Sequence, residues 1–259
     1  MHRLVAAVLI VFLAGKSVAE DFGTGPIGKI SKREKGKGII YGEDECAYIH
    51  PGHPWQCEDR SGFCMSEDLM CDGFIVCDTA DDENQDCGWG ETDANGCTKP
   101  DTIGNSGLED LTQQILEAQN YFRCLHGVQP LKWDDELARA AKLVALDNAA
   151  RFEIHHSTMK YGENIDFIGL SGAEGQTGYG FALHWYREIS LYRWASPGFQ
   201  DLAGHFTQLV WADTDTVGCA FATSRTLGPF TYYFAVCEYW PPGNVMTAEE
   251  YQKNVLPPL

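Results

Sequence analysis

The chain has 259 residues, 44% of them hydrophobic, with ten cysteines and a formal net charge of −18. So acidic a balance argues against nucleic acid or anionic membrane as a general partner, because both would repel it. The charge is unevenly spread: residues 29–37 hold Lys29, Lys32, Arg33, Lys35 and Lys37, whereas 43–91 is strongly acidic.

Residues 1–19 read as a secretory signal. Met1-His2-Arg3 is basic, 4–15 is an apolar run, and the small residues Ser17 and Ala19 stand at the −3 and −1 positions before Glu20. The run is too short to span a bilayer comfortably, and no other stretch is long enough. The expectation is a secreted, extracellular chain with no integral membrane segment once the signal is cut. Cleavage removes Arg3 and Lys16 and takes the charge from −18 to −20. Residues 20–44 then form a flexible basic tail, with Lys32-Arg33 as an alternative processing point. No Asn-x-Ser/Thr sequon occurs.

An even cysteine count in an exported chain points to disulfides. Cys46, Cys57, Cys64, Cys71, Cys77 and Cys87 crowd into one short segment. Such a segment buries too little apolar surface to fold unaided and needs disulfides or a metal. Spacing alone leaves their pairing open.

Residues 89–107 read as a linker into an ordinary mixed domain. Over 108–125, Leu108, Leu111, Ile115, Leu116, Phe122 and Leu125 recur roughly at helical spacing, and Gly127 and Pro130 stop the helix. A second helix starts at Asp134, an N-cap residue type, and runs through Leu137, Ala141, Val144 and Ala145. A third is predicted over 181–194, with Trp185, Ile189 and Tyr192 on one side and Pro197-Gly198 ending it. On that helix His184 and Glu188 lie one turn apart and read as a surface pair. Segments 217–223 and 231–239 are rich in β-branched and aromatic residues, with Gly228-Pro229 between them, and read as antiparallel hairpin strands. Cys219 and Cys237 would sit across that hairpin and pair. Helices followed by strands, without βαβ alternation, imply an α+β layered domain.

The chemistry concentrates in three stretches. Gly204-His205-Phe206-Thr207-Gln208-Leu209-Val210-Trp211 sets one imidazole among large apolar side chains. Val217-Gly218-Cys219 follows, and then Phe234-Ala235-Val236-Cys237-Glu238-Tyr239-Trp240-Pro241-Pro242-Gly243-Asn244. Together these resemble the signature motifs of the CAP superfamily, the cysteine-rich secretory, antigen 5 and pathogenesis-related 1 proteins. Asn120 to Val128, Trp185 to Ile189 and the tail Asn254 to Pro258 are similar to the Golgi-associated plant pathogenesis-related branch. That branch is intracellular and lipid-anchored at an N-terminal glycine. Here His2 and an export signal stand instead, so its location is not carried over.

The resemblance covers 108–259 (the CAP, or SCP, domain). It implies an α-β-α sandwich with a cleft of two histidines and two glutamates. At the matching positions one pair is His156, ahead of Ser157, with Glu163 of Gly162-Glu163-Asn164, and the other is Glu188 with His205. His155 is adjacent, but chain neighbours do not usually face the same way, and the position before Ser157 selects His156. Two neutral imidazoles can bind Zn²⁺ with water completing the shell. Nearby carboxylates would orient the rings.

Three readings follow. In one, the cleft binds a metal without turnover and the domain acts on a lipid (sterol or fatty acid) or a protein ligand. In another, it hydrolyses, with Glu163 or Glu188 as base or Ser157 as nucleophile. In the last, the four residues form a purely structural hydrogen-bonded network. No HExxH helix places ligands and base together, and the family is associated mostly with sterol, fatty-acid and metal binding, so binding is preferred. Trp185, Tyr186, Tyr192 and Trp194 either line a lipid groove or pack the core.

Cys71-Asp72-Gly73-Phe74-Ile75-Val76-Cys77, with Asp81-Asp82-Glu83 and Cys87, resembles a low-density-lipoprotein (LDL) receptor class A repeat, here over 45–88. The resemblance implies the pairs Cys46–Cys64, Cys57–Cys77 and Cys71–Cys87, which leaves Cys97 and Cys124 to bridge the linker to the first helix. It also implies a Ca²⁺ site built from Asp72, Asp82 and Glu83 with the carbonyls of Leu69 and Phe74. Val76 and Thr79 stand where the family has aspartates, which weakens that site unless Asp78 or Asp81 compensates; without Ca²⁺ the disulfides alone hold the repeat. Such repeats capture lysines of a partner beside an aromatic; Trp55 and Phe74 are the residues available here, each either for that contact or for the core. The implied partner is an extracellular protein with a basic, lysine-bearing surface. His50 and His53 flank Pro51-Gly52 in a loop and read as solvated.

Overall fold

A computed structural model of the chain describes residues 55–56, 64–65, 70–71, 74–75, 87–101, 108–171, 175–227 and 230–259. The expected signal at 1–19, the basic tail at 20–44, and Leu69, Asp72, Asp82 and Glu83 lie outside the described residues, as do the expected pairs Cys46–Cys64 and Cys57–Cys77. From the cysteine-dense segment, three two-residue strands are described: β1 (Trp55–Gln56), β2 (Cys64–Met65) and β3 (Phe74–Ile75). β1 and β2 pair antiparallel. Three disulfides are formed among the described residues, Cys71–Cys87, Cys97–Cys124 and Cys219–Cys237.

Helix α1 (Leu108–Leu125) buries Leu111, Ile115, Ala118 and Phe122, spaced three or four apart as an amphipathic helix requires. A short strand β4 (Lys132–Trp133) leads to α2 (Asp135–Arg151). Asp134 starts α2 because its carboxylate accepts from Glu136 N at 2.7 Å and Leu137 N at 3.0 Å, satisfying two orphan donors of the first turn. Strand β5 (Gly162–Ser171) and strand β6 (Gly175–Gln176) follow, then α3 (Gly178–Arg187), capped by the Thr177 hydroxyl.

The third helix differs from the expected 181–194. It begins earlier and leaves the α form at Arg187, tightening into a 3₁₀ turn over Glu188–Leu191. The Ser190 hydroxyl donates to the Arg187 carbonyl at 3.0 Å, and Tyr192 is extended. Helix α4 (Gly204–Leu209), strands β7 (Thr216–Leu227) and β8 (Phe230–Trp240), and helix α5 (Ala248–Asn254) complete the chain.

The main sheet has the order β4-β7-β8-β5, with β4 parallel to β7 and the other pairs antiparallel. Side chains alternate across it. Val217, Cys219 and Phe221 of β7 and Ala235, Cys237 and Tyr239 of β8 join the core built with α1, α3 and α4. Ala220, Ala222, Phe234 and Val236 face Ala141, Val144, Ala145 and Ala149 of α2. Both faces are therefore covered, giving an α+β domain layered as an α-β-α sandwich. At Gly218 any Cβ would lie 2.1 Å from Ala138 N, so only glycine lets α2 settle this close to the sheet.

Residues 87–101 pack onto the domain. Trp89 meets Tyr179 edge-on with centroids 4.8 Å apart, and the Lys99 ammonium lies 3.9 Å from the centre of the Trp89 ring. β3 pairs antiparallel with β6.

Arg123, near the end of α1, is fully enclosed. Its guanidinium donates to the carbonyls of Gln129 (2.8 Å), Leu209 (3.0 Å), Trp211 (2.8 Å) and Thr214 (2.8 Å). Burial draws its pKa down to about 10, which leaves it charged at neutral pH. Replacing it by methionine strands the carbonyls of Gln129, Leu209 and Thr214, since Trp211 O keeps the Thr214 N–H, and each buried orphan costs about 1–3 kcal/mol. Urea unfolding of Arg123→Met is expected to show a loss of at least about 3 kcal/mol, with Arg123→Lys recovering only part of it, because an ammonium cannot reproduce the planar fork. An unchanged midpoint would refute this account of the enclosed charge.

Candidate functional site

The four residues expected in the cleft form two histidine–glutamate pairs. His205 lies in the first turn of α4, a helix that Ala203 does not cap through its side chain. Glu188, opening the 3₁₀ turn after α3, supplies the missing acceptors. One carboxylate oxygen takes His205 N (2.9 Å) and Phe206 N (3.2 Å), and the other takes His205 Nδ1 at 2.7 Å. A single side chain thus caps α4 and fixes the imidazole. Burial works against the charged ring, but the hydrogen bond and charge of Glu188, with Asp166, raise the His205 pKa above its usual value.

His156 lies in the loop after α2, with Nδ1 2.5 Å from Glu163 Oε1. The Ser157 N–H donates to both Glu163 oxygens, at 3.0 and 3.2 Å. Burial disfavours ionised Glu163, yet the bonds from His156 and Ser157 outweigh it and hold the carboxyl below its usual range. Because a carboxylate only accepts, both Nδ1 atoms carry the proton in the neutral rings, and both Nε2 atoms keep their lone pairs.

The pairs meet through β5. Asn164, next to Glu163, donates its amide to the His205 carbonyl at 3.0 Å and to Tyr239 Oη at 3.3 Å. Tyr239 in turn donates to Gln119 Oε1 at 2.7 Å, and the Gln119 amide approaches both sulfurs of Cys219–Cys237. The imidazoles are therefore positioned from a fully buried network.

His184 does not pair with Glu188. It reaches across to Asp166 of β5, with Nδ1 2.9 Å from Oδ2. Helical spacing placed His184 next to Glu188 on one face; the docking of α3 against β5 gives each a different partner. His155 is turned back onto α2, where Nε2 meets Asp147 at 2.8 Å. The hydroxyl of Ser157 accepts from Met159 N at 3.3 Å, and among the described residues it makes no bond to a histidine. No group of three or more His, Cys, Asp and Glu side chains among the described residues is arranged to hold a metal ion.

Glu238 escaped sequence reasoning altogether. It stands directly opposite Glu163 in the β5–β8 register and is fully buried. Burial and the neighbouring Glu163 push its pKa far above the carboxylate range, to about 9. Only the strand register could have revealed it.

Of the aromatic residues, Trp185 and Tyr192 are core, and Tyr186 stacks on Phe122 with centroids 4.3 Å apart. Trp194 is partly exposed, and with Leu191, Phe199 and Leu202 it makes an apolar stretch between the 3₁₀ turn and α4.

A three-layer domain with two carboxylate-held imidazoles defines a CAP-type protein. The profile of the cysteine-rich secretory protein (CAP) family matches residues 116–239, and the chain belongs to that family. It is 34% identical over 160 residues to human Golgi-associated plant pathogenesis-related protein 1, covering 60% of this chain and 99% of that one. Repressed by EFG1 protein 1 of Candida albicans is 37% identical over 158 residues, covering 58% and 55% respectively. The Secreted protein RBT4 of the same fungus is 37% identical over 162 residues, covering 59% and 43%. The chain thus spans about half the length of these fungal relatives and nearly all of the human one.

In metal-free buffer His205 is expected to titrate above the usual value of about 6.5, and Glu188→Gln to bring it down, as read by NMR of the ring protons. A raised histidine pKa stabilises the fold fully below the unfolded value, and this contribution fades as pH rises through the native one. The destabilisation by Glu188→Gln should accordingly be larger near about pH 5.5 than near about pH 8.5. The reverse order would contradict the pairing.

Proposed function

We propose that this chain is an exported ligand-binding protein whose His156 and His205 form a metal-capable centre beside an apolar docking surface. The observation that carries the reading is the state of the two glutamates. Glu163 and Glu188 each accept an Nδ1–H and at least one backbone N–H, which commits them to orienting the rings. Carboxylate-oriented imidazoles with free Nε2 lone pairs are the ligand arrangement transition metals use. The donor chemistry fits Zn²⁺, with water or ligand oxygen completing four-coordination. A bound Zn²⁺ would supply a positive centre for a carboxylate or hydroxyl oxygen of the ligand.

Hydrolysis draws less support. A general base needs a carboxylate with capacity to take a proton, and a serine nucleophile needs a histidine within reach. Leu191, Phe199 and Leu202, 52%, 42% and 62% exposed, favour a ligand with an apolar body, a sterol or fatty acid, or an apolar protein surface. The acidic cysteine-dense segment, read as a class A repeat organised by Ca²⁺, would dock a lysine-bearing extracellular partner.

Calorimetric titration of the whole exported chain with Zn²⁺ tests the centre. His156→Ala and His205→Ala are each expected to weaken binding roughly tenfold or more; unchanged affinity in both would remove the metal from the reading. Pull-down of sterol and fatty acid tests the docking surface, and Leu202→Glu should reduce capture. Peptide cleavage by the native chain, abolished in Glu163→Gln, would overturn binding in favour of hydrolysis.

A further inference from the structure

Glu238 sits where a charge is hardest to accommodate. It lies on β8 between Glu163 of β5 and Gly218 of β7, directly opposite both in register, and α2 rests against Gly218. It has no exposed surface. Among the described residues neither of its side-chain oxygens receives a hydrogen bond from a donor group. An ionised carboxylate so placed would be buried, unpaired and opposed by a second carboxylate, which is strongly unfavourable.

One proton removes the conflict. Two carboxyls on directly opposed strand positions can share it, the acid donating O–H to the carboxylate, as in other paired carboxylic sites. The pair then has one donor and one charged acceptor. Glu163 is the member that must keep the charge, because it also accepts the His156 ring N–H and the Ser157 backbone N–H. Glu238 has no such donors and takes the proton.

We propose that Glu238 is a positioning residue for His156: as a neutral acid it donates to Glu163, which accepts the His156 Nδ1–H and leaves Nε2 outward. The Glu163 carboxylate is then held by donors from three places, the adjoining strand, the backbone of Ser157 and the ring. Removing the strand donor leaves the carboxylate held only by Ser157 and the ring, and the preference of the imidazole for the Nδ1–H tautomer weakens. Glutamine at 238 keeps a neutral N–H donor, whereas methionine keeps bulk and loses the donor.

The affinity part of the test rests on the proposed metal centre; the spectroscopic parts do not. In the native chain at neutral pH, infrared difference spectra against Glu238→Gln should show a protonated-carboxyl C=O band that the variant lacks. Nitrogen-15 NMR of the His156 ring should report the Nδ1–H tautomer in the native chain and in Glu238→Gln, and a shift toward Nε2–H in Glu238→Met. Zn²⁺ affinity should fall roughly tenfold in Glu238→Met and be retained in Glu238→Gln.

Absence of the carboxyl band overturns the proposal, and that measurement needs no folded methionine variant. It also fails if Glu238→Met keeps the native tautomer, or if Glu238→Gln disturbs the ring as much as methionine does. If the native chain takes up no Zn²⁺ while the band and tautomers are as expected, the metal reading fails and the positioning role stands.

Discussion

The enclosed guanidinium of Arg123 is the contact on which the placement of His205 depends. It is charged, has no exposed surface, and is met by four backbone carbonyls from two separate parts of the chain. Taking such a charge out of water is costly, and only charge-assisted bonds to every available donor offset it. Two of its acceptors, Leu209 and Trp211, lie at the end of α4 and just beyond it. A helix of six residues is too short to persist unaided. Side chains from elsewhere hold it at both ends, Arg123 on the terminal carbonyls and Glu188 on the first N–H groups. His205 has a defined position because α4 does.

The other imidazole is placed by the edge of the sheet. β5 is an edge strand that carries Glu163, Asn164 and Asp166 within five residues of its start. Successive side chains on a strand point to opposite faces. Glu163 accordingly faces Glu238 and serves His156, while Asn164, opposite Cys237, reaches Tyr239 Oη and holds the His205 carbonyl. The long register with β8, from Gly162 opposite Tyr239 to Ser171 opposite Phe230, holds this strand in the sheet. The Cys219–Cys237 bridge lies in the same network, since Gln119 touches both sulfurs and accepts from Tyr239.

Much of the frame was legible in the residues. The spacing of Leu111, Ile115 and Phe122 marks α1, Asp134 marks the start of α2, and the β-branched and aromatic runs mark the β7–β8 hairpin. Strand β5 was hidden, because Gly162-Glu163-Asn164 and Asp166 break the apolar alternation by which a strand is recognised. The third helix was drawn too long, since its aromatic pattern continues past Arg187 while its backbone does not. His184 was matched to the wrong carboxylate because helical spacing registers neighbours on one helix, whereas its partner Asp166 comes from the sheet.

The local signals in this chain, a capping aspartate, a repeating apolar face and β-branched runs, specify the kinds of element, while His156, Glu163, Glu188 and His205 came from the resemblance of their motifs to the family's. The local signals act between residues a few positions apart, so they survive in the linear order. The long-range contacts do not. That His184 meets Asp166, why Arg123 can be buried, and that Glu238 stands beside Glu163 depend on strand register and helix docking between residues far apart in the chain. A one-residue slip of β5 against β8 would turn Glu163 away from Glu238, and nothing in the local sequence records that register.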